Sequence, residues 1–202
     1  MSDLSEESGD VPEPGPYIQT LSGRRVNPLD ASPEDIDPED IAGALGNICR
    51  FGGHSRGFYS VAQHSVIVCD LLEEQGASVD ELLAALLHDA AEAYLGDLPH
   101  PIKHRSELGA AFRDAEKRLE AVIARRFDLP DAKARIKPLD RALLAAERKI
   151  FSEESWHWPE LDEAEPIDVE IDPWPPERAA REFRERLDKL QASRSGSILP
   201  PG

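Results

Sequence analysis

The sequence predicts an all-α fold, a compact helical bundle with one short N-terminal β-hairpin, and three observations carry that reading. Apolar residues recur at helical spacing through successive segments from residue 38 onward. One of these segments, Asp80 to Tyr94, is apolar on nearly every side through Leu82, Leu83, Ala84, Ala85, Leu86, Leu87, Ala90 and Ala91. Such a helix belongs at the centre of a bundle. A strand-like pattern occurs only at Tyr17-Ile-Gln-Thr and Arg24-Arg-Val, around the turn residues Ser22 and Gly23.

The elements follow in order. Residues 1–15 combine Ser, Glu, Asp, Pro and Gly without an apolar period and are expected to form a disordered acidic tail. The main domain is expected over residues 16–154. Its first helix spans about 38 to 48, because Pro38 suits a first turn and Glu39 and Asp40 favour the positive helix end. Ser60 caps a second helix that reaches about Glu74. The buried helix over 80–94 comes next, ended by Gly96, Pro99 and Pro101. An amphipathic helix follows from about Ser106 to Phe127, and another over about 132 to 154 despite Pro138. Residues 155–202 are read as a proline-rich, acidic loop and a last helix, roughly 177 to 192, packed on the same domain. In that segment Trp156, Trp158 and Trp174 are expected to clamp the chain onto the helices.

A chain of 202 residues suits one domain. With 40 acidic against 23 basic side chains its net charge is -17, which argues against partners such as nucleic acid polymers or anionic membranes. An anionic ligand must therefore be captured by local charge. Cys49 and Cys69 match no paired-thiol motif, so neither a disulfide scaffold nor a thiolate zinc site is indicated. The acidic N-terminus is unlike a signal peptide and no run has the length of a membrane span, so a cytoplasmic location is expected.

The residues that carry chemistry are His88 and Asp89, which interrupt the most apolar segment of the chain. Buried ionisable groups are costly unless paired or bound to metal. In a continuous helix Glu92 stacks one turn from His88, and Asp97, just past Gly96, can turn back toward the same cavity. His64 lies on the preceding helix and faces His88 if the two helices run antiparallel. Two imidazoles with several carboxylates suit a first-row divalent ion. A buried polar network that only satisfies itself is the plainer reading of the same residues. Arg50, Arg56, Lys103 and His104 are the cations beside these motifs, and His54, in Gly52-Gly53-His54-Ser55, either touches phosphate or stabilises its loop.

The order His64, His88-Asp89 and a distant Asp140 resembles the H…HD…D signature of the HD-domain superfamily. More narrowly, the stretches NICRFGGHSRGFYSVAQHS and ALLHDAAEAYLGDLPHPIK resemble the bacterial 5′-deoxynucleotidases and the phage deoxyadenosine-triphosphate hydrolases, over about Tyr17 to Ser152. The resemblance implies a divalent metal cofactor (Co, Mn, Zn, Mg or Fe) held by His64, His88, Asp89 and Asp140. It implies hydrolysis of phosphate from a small nucleotide, a deoxynucleoside mono- or triphosphate, by a metal-activated water. Glu92 is then the general base, and Asp97 positions the sugar or shares the proton work. Arg50, Phe51, His54 and Lys103 are the expected substrate contacts, with Phe51 where many relatives carry Trp. Such relatives often assemble, so a homo-oligomer is expected. Two other classes were weighed: a non-catalytic HD module that binds nucleotides or proteins, and a di-iron oxygenase. The oxygenase needs further histidine ligands, and His54, His100 and His104 lack a suitable spacing.

Overall fold

Four helices start where the sequence supplies a side-chain cap. The computed structural model describes residues 14–153 and 156–196, so most of the expected acidic tail lies outside it. The hairpin is present as β1 (Ile18–Gln19) and β2 (Arg25–Val26), paired antiparallel with Ile18 opposite Val26. Asp37 caps α1 (Pro38–Asn47) by accepting from the Glu39 amide. Ser60 caps α2 (Val61–Glu74) in the same way, and Ser78 with Glu81 forms a capping box at α3 (Val79–Leu86).

The single helix expected over 80–94 is not observed. It ends at Leu86, residues 87–91 continue in tight turns, and a separate short helix α4 spans Glu92–Leu95. His88 is the physical reason. In an unbroken helix the Ala85 carbonyl would accept from the Asp89 amide. Here the His88 ring Nδ1 lies 2.8 Å from that carbonyl and the His88 amide donates to it at 3.4 Å. A side chain competing for a backbone acceptor tightens the turn to three-residue bonding, as Ala90 to Leu87 and Glu92 to Asp89 show. Glu92 is therefore placed by the start of a new turn rather than by stacking on His88.

The segment with Pro99 and Pro101, read from the sequence only as a break, forms α5 (His100–Arg105), with Pro101 in the first turn where proline is tolerated. Ser106 then caps α6 (Glu107–Phe127), and α5 and α6 abut so closely that a Cβ on Gly109 would lie 2.1 Å from the Lys103 carbonyl oxygen. The remaining helices are α7 (Lys133–Phe151) and α8 (Pro176–Gly196), the latter longer than expected. Between them the described chain is irregular apart from one 3-10 turn at Pro159–Leu161.

The core forms where α8 packs on α1, α2 and α3, with α2 also against α7 and α4 against α1. Its fully buried residues include Ile41, Leu45, Leu72, Leu83, Leu86, Phe183 and Leu187. Each such side chain contributes about 1.5–3 kcal/mol by leaving water. Gly46 lets α1 and α8 meet, because a Cβ there would sit 2.8 Å from that of Ala180. Gln63, buried beside His64, donates to the Asp172 carbonyl and accepts from the Trp174 amide. These bonds fasten the strand leading into α8, and Trp174 packs partly buried on the core as expected. Trp158 lies under Arg148, 4.7 Å from its ring centre, whereas Trp156 is largely exposed. Among the described residues no helix is long and apolar enough to cross a membrane.

Candidate metal centre and adjoining cleft

Two helices and one tight turn bring the predicted ligands together. His64 projects from the first turn of α2, His88 and Asp89 from the turn after α3, and Asp140 from α7. One donor atom each from His64, His88 and Asp89 lies within 4.8 Å of the others. His88 Nε2 is 3.1 Å and His64 Nε2 3.8 Å from Asp89 Oδ2. Asp140 joins this group from its edge, with Oδ1 3.1 Å from His64 Nε2.

These atoms do not satisfy one another. Both Nε2 atoms are buried without a hydrogen bond of acceptable geometry, although carboxylate oxygens lie close by. Each ring is instead held from its other side, His88 by the Ala85 carbonyl and His64 by Glu147 Oε1 at 2.6 Å. Both partners are acceptors, so in the neutral ring Nδ1 carries the proton and the Nε2 lone pair points toward the carboxylates. That tautomer is the one a metal-ligating imidazole needs. The group fits a divalent ion.

Without an ion, the carboxylates favour a second proton on the rings. Burial opposes the charge on His88, yet the adjacent Asp89 carboxylate outweighs it and pushes the imidazole up to about 9. Burial also works against ionised Asp89, but His88, His64 and Arg50 hold its carboxyl well below the usual carboxylate range. Glu92 behaves oppositely. Burial, reinforced by Asp89 and Asp97, raises its carboxyl well above the ordinary value, and its Oε2 has no partner. Asp97 is likewise raised, mainly by burial.

Residues 61–169, more than half of the chain, match the HD domain. The protein YfdR of Escherichia coli (strain K12) is 35% identical over 181 residues, 88% of this chain and 97% of that protein. A Rhodobacter capsulatus protein is 41% identical over 135 residues, 65% of this chain and 67% of its own. The chain belongs to the HD-domain family. HD domains bind divalent metals and act as metal-dependent phosphohydrolases, and in this one His64, His88 and Asp89 form the group that can hold the ion.

Behind the ligands of this HD domain lies a residue that sequence reasoning missed. Glu147 is fully buried and binds three side chains at once. It accepts from His64 Nδ1, from the Tyr59 hydroxyl at 2.8 Å, and from Arg50 through Nε at 3.2 Å and Nη2 at 3.0 Å. A signal was present: Glu147 follows Leu143 by four residues on α7 and so interrupts its apolar stripe.

The expected substrate residues separate into two groups. Arg50 reaches the centre, with Nη1 3.9 Å from Asp89 Oδ2, but its other donors are committed to Glu147. Lys103 is bound to Glu116 at 2.6 Å. Phe51 adopts a left-handed backbone (φ 59°) and leans toward Trp158, with ring centres 6.4 Å apart, while His54 sits exposed at the end of the same turn. Arg56 pairs with Glu153 on the surface, and His104 stacks beside His100. A cleft of about 630 Å³ opens on His88, Asp89 and Asp140, and Lys103 lines it; Phe51 and His54 do not.

Proposed function

We propose that this HD domain hydrolyses a phosphate ester or anhydride of a small nucleotide, preferring the deoxy form. The observation that carries the reading is the cleft beside the metal group. Its volume falls in the range of small-molecule sites, about 300–1,000 Å³, and its lining combines apolar with charged residues.

His64, His88, Asp89 and Asp140 hold the ion in this reading. When bound, a divalent ion supplies Lewis acidity to a phosphoryl oxygen and eases deprotonation of water. Glu92 takes the proton from the attacking water, since its buried carboxyl has a free oxygen and a raised affinity for protons. As the water oxygen bonds to phosphorus, the bond from phosphorus to the leaving oxygen breaks. The proton held by Glu92 then passes to that oxygen, leaving phosphate and an alcohol or a shorter phosphate. Arg50 turns its remaining Nη1 toward the phosphoryl group. Asp97 accepts from a sugar hydroxyl or shares the proton work with Glu92.

The test is phosphate release from AMP, dAMP, ATP and dATP, with Co, Mn, Zn, Mg and Fe supplied in turn. A site that excludes one hydroxyl by bulk discriminates by about 10- to 200-fold, so a preference for the deoxy forms of that size is expected. Equal turnover of ribonucleotides removes the sugar preference. Turnover of none of the four with any metal removes the nucleotide reading.

A further inference from the structure

The cleft carries more positive charge than the metal chemistry uses. It runs between a stripe on α6, containing Lys117, Glu120 and Ala124, and a stripe on α7, containing Lys133, Lys137 and Asp140. Most of its charges are already spoken for. Lys133 pairs with Glu120 at 2.8 Å, Lys103 with Glu116, and the Asp131 carboxylate accepts from the Lys133 amide at the start of α7. Lys117 and Lys137 line the same cleft and form no ion pair among the described residues.

Their positions are specific. Lys137 is three residues before Asp140 on one helix, one turn along the same face. Lys117 follows Glu116, the partner of the Lys103 that also lines the cleft, and lies one turn from Glu120 toward that end. Leu129, Pro130, Ala132 and Ile136 give the same lining an apolar part beside Asp131. A ligand with anionic groups beyond the metal and an uncharged planar body would match the lysines and this apolar part together.

We infer that Lys117 and Lys137 are the residues that read the additional phosphates of the substrate, so that the cleft selects a nucleoside polyphosphate over a monophosphate. The inference rests on the nucleotide reading above. The pairing supports it: Arg50 faces Glu147, Lys103 faces Glu116 and Lys133 faces Glu120, so Lys117 and Lys137 are the lining lysines without an ion-pair partner among the described residues, while Asp131 is a lining carboxylate outside the metal group that also lacks one. Lysine suits this task, being a flexible point charge that follows a phosphate chain without demanding a fixed geometry.

The test compares the metal-loaded protein with its K117Q/K137Q double variant on dATP and dAMP. Wild-type protein should favour dATP. In the double variant the ratio of kcat/KM for dATP to that for dAMP should fall about tenfold or more, through KM. Lys149→Gln removes a positive charge outside the cleft and should leave the ratio as it is. Calorimetric titration with inorganic tripolyphosphate and with inorganic phosphate provides a readout independent of turnover: tripolyphosphate should bind more tightly, and the double variant should lose that advantage. Hydrolysis of both nucleotides with an unchanged ratio, or a wild-type preference for dAMP, overturns this inference while the nucleotide reading stands. If the protein cleaves p-nitrophenyl phosphate but no nucleotide, the nucleotide reading fails instead. The tripolyphosphate titration then decides the role of the lysines alone.

Discussion

His64 Nδ1 and Glu147 Oε1 lie 2.6 Å apart, both fully buried and 83 residues apart in the chain. The contact orients the imidazole toward Asp89 and Asp140, and the same carboxylate neutralises Arg50, so one residue couples the metal group to the fold. Glu147→Gln keeps the shape but removes the nearest counter-charge of the buried Arg50, leaving Asp89 at 3.9 Å. Two losses are expected: metal affinity should fall about 10- to 100-fold, and stability by about 3–5 kcal/mol. Metal titration together with chemical denaturation checks both. Unchanged affinity would show that His64 is held by its backbone alone.

Removing a ligand tests the centre directly. His64→Ala and Asp89→Ala should each leave the purified protein without tightly held metal, as measured by elemental analysis after dialysis. Asp140→Ala should retain more, because its carboxylate stands at the edge of the group, near His64 Nε2 only. Full occupancy in the His64 or Asp89 variant contradicts the assignment.

Glu92→Gln should hold metal and fold normally yet lose about 100- to 10,000-fold in turnover, the usual contribution of a general base. The amide fills the same volume and cannot take the proton. Near-normal turnover with metal in place assigns the proton transfer elsewhere, Asp97 being the next carboxyl whose proton affinity burial raises.

If Arg50 were a substrate contact and nothing more, Arg50→Ala would affect only substrate capture. The structure changes that expectation, because the variant also strands Glu147 as a buried unpaired charge. A loss of about 3–5 kcal/mol, roughly 10 °C in Tm for a domain of this size, should accompany any rise in KM. A thermal melt identical to wild type would mean that water replaces the guanidinium.

Glu81 provides a pH dependence remote from the metal. Hydrogen bonds from the Ser78 amide, Arg135 and the Ser78 hydroxyl lower its carboxyl to about 2, below the 4.5 of an unperturbed glutamate. A folded-state value below the unfolded one stabilises the protein above the unfolded pKa, and that stabilisation is lost as pH falls toward 2. The stability difference between wild type and Glu81→Gln should therefore be constant above about pH 5 and shrink between pH 5 and 2. Denaturation midpoints measured across that range check it. A gap independent of pH would show that the charge on Glu81 does not matter.

Local signals in the sequence sufficed for the all-α class, for the Ser60 cap and for singling out His64, His88 and Asp89, because capping and helical periodicity act over a few residues; Asp140 rested on the resemblance to the HD signature. They misjudged the segment after Leu86, where a continuous apolar run favours helix but the His88 side chain captures a backbone acceptor. They also passed over Glu147 and over Lys117 and Lys137. A buried carboxylate at 147 is tolerable only where Tyr59, His64 and Arg50 converge on it, and a lysine at 117 or 137 reads as an ordinary solvated charge until α6 and α7 are set apart around a cavity. Those are properties of distances between remote segments. Packing, not local preference, decided which of the buried charges are paired and which two cations remain to meet a ligand.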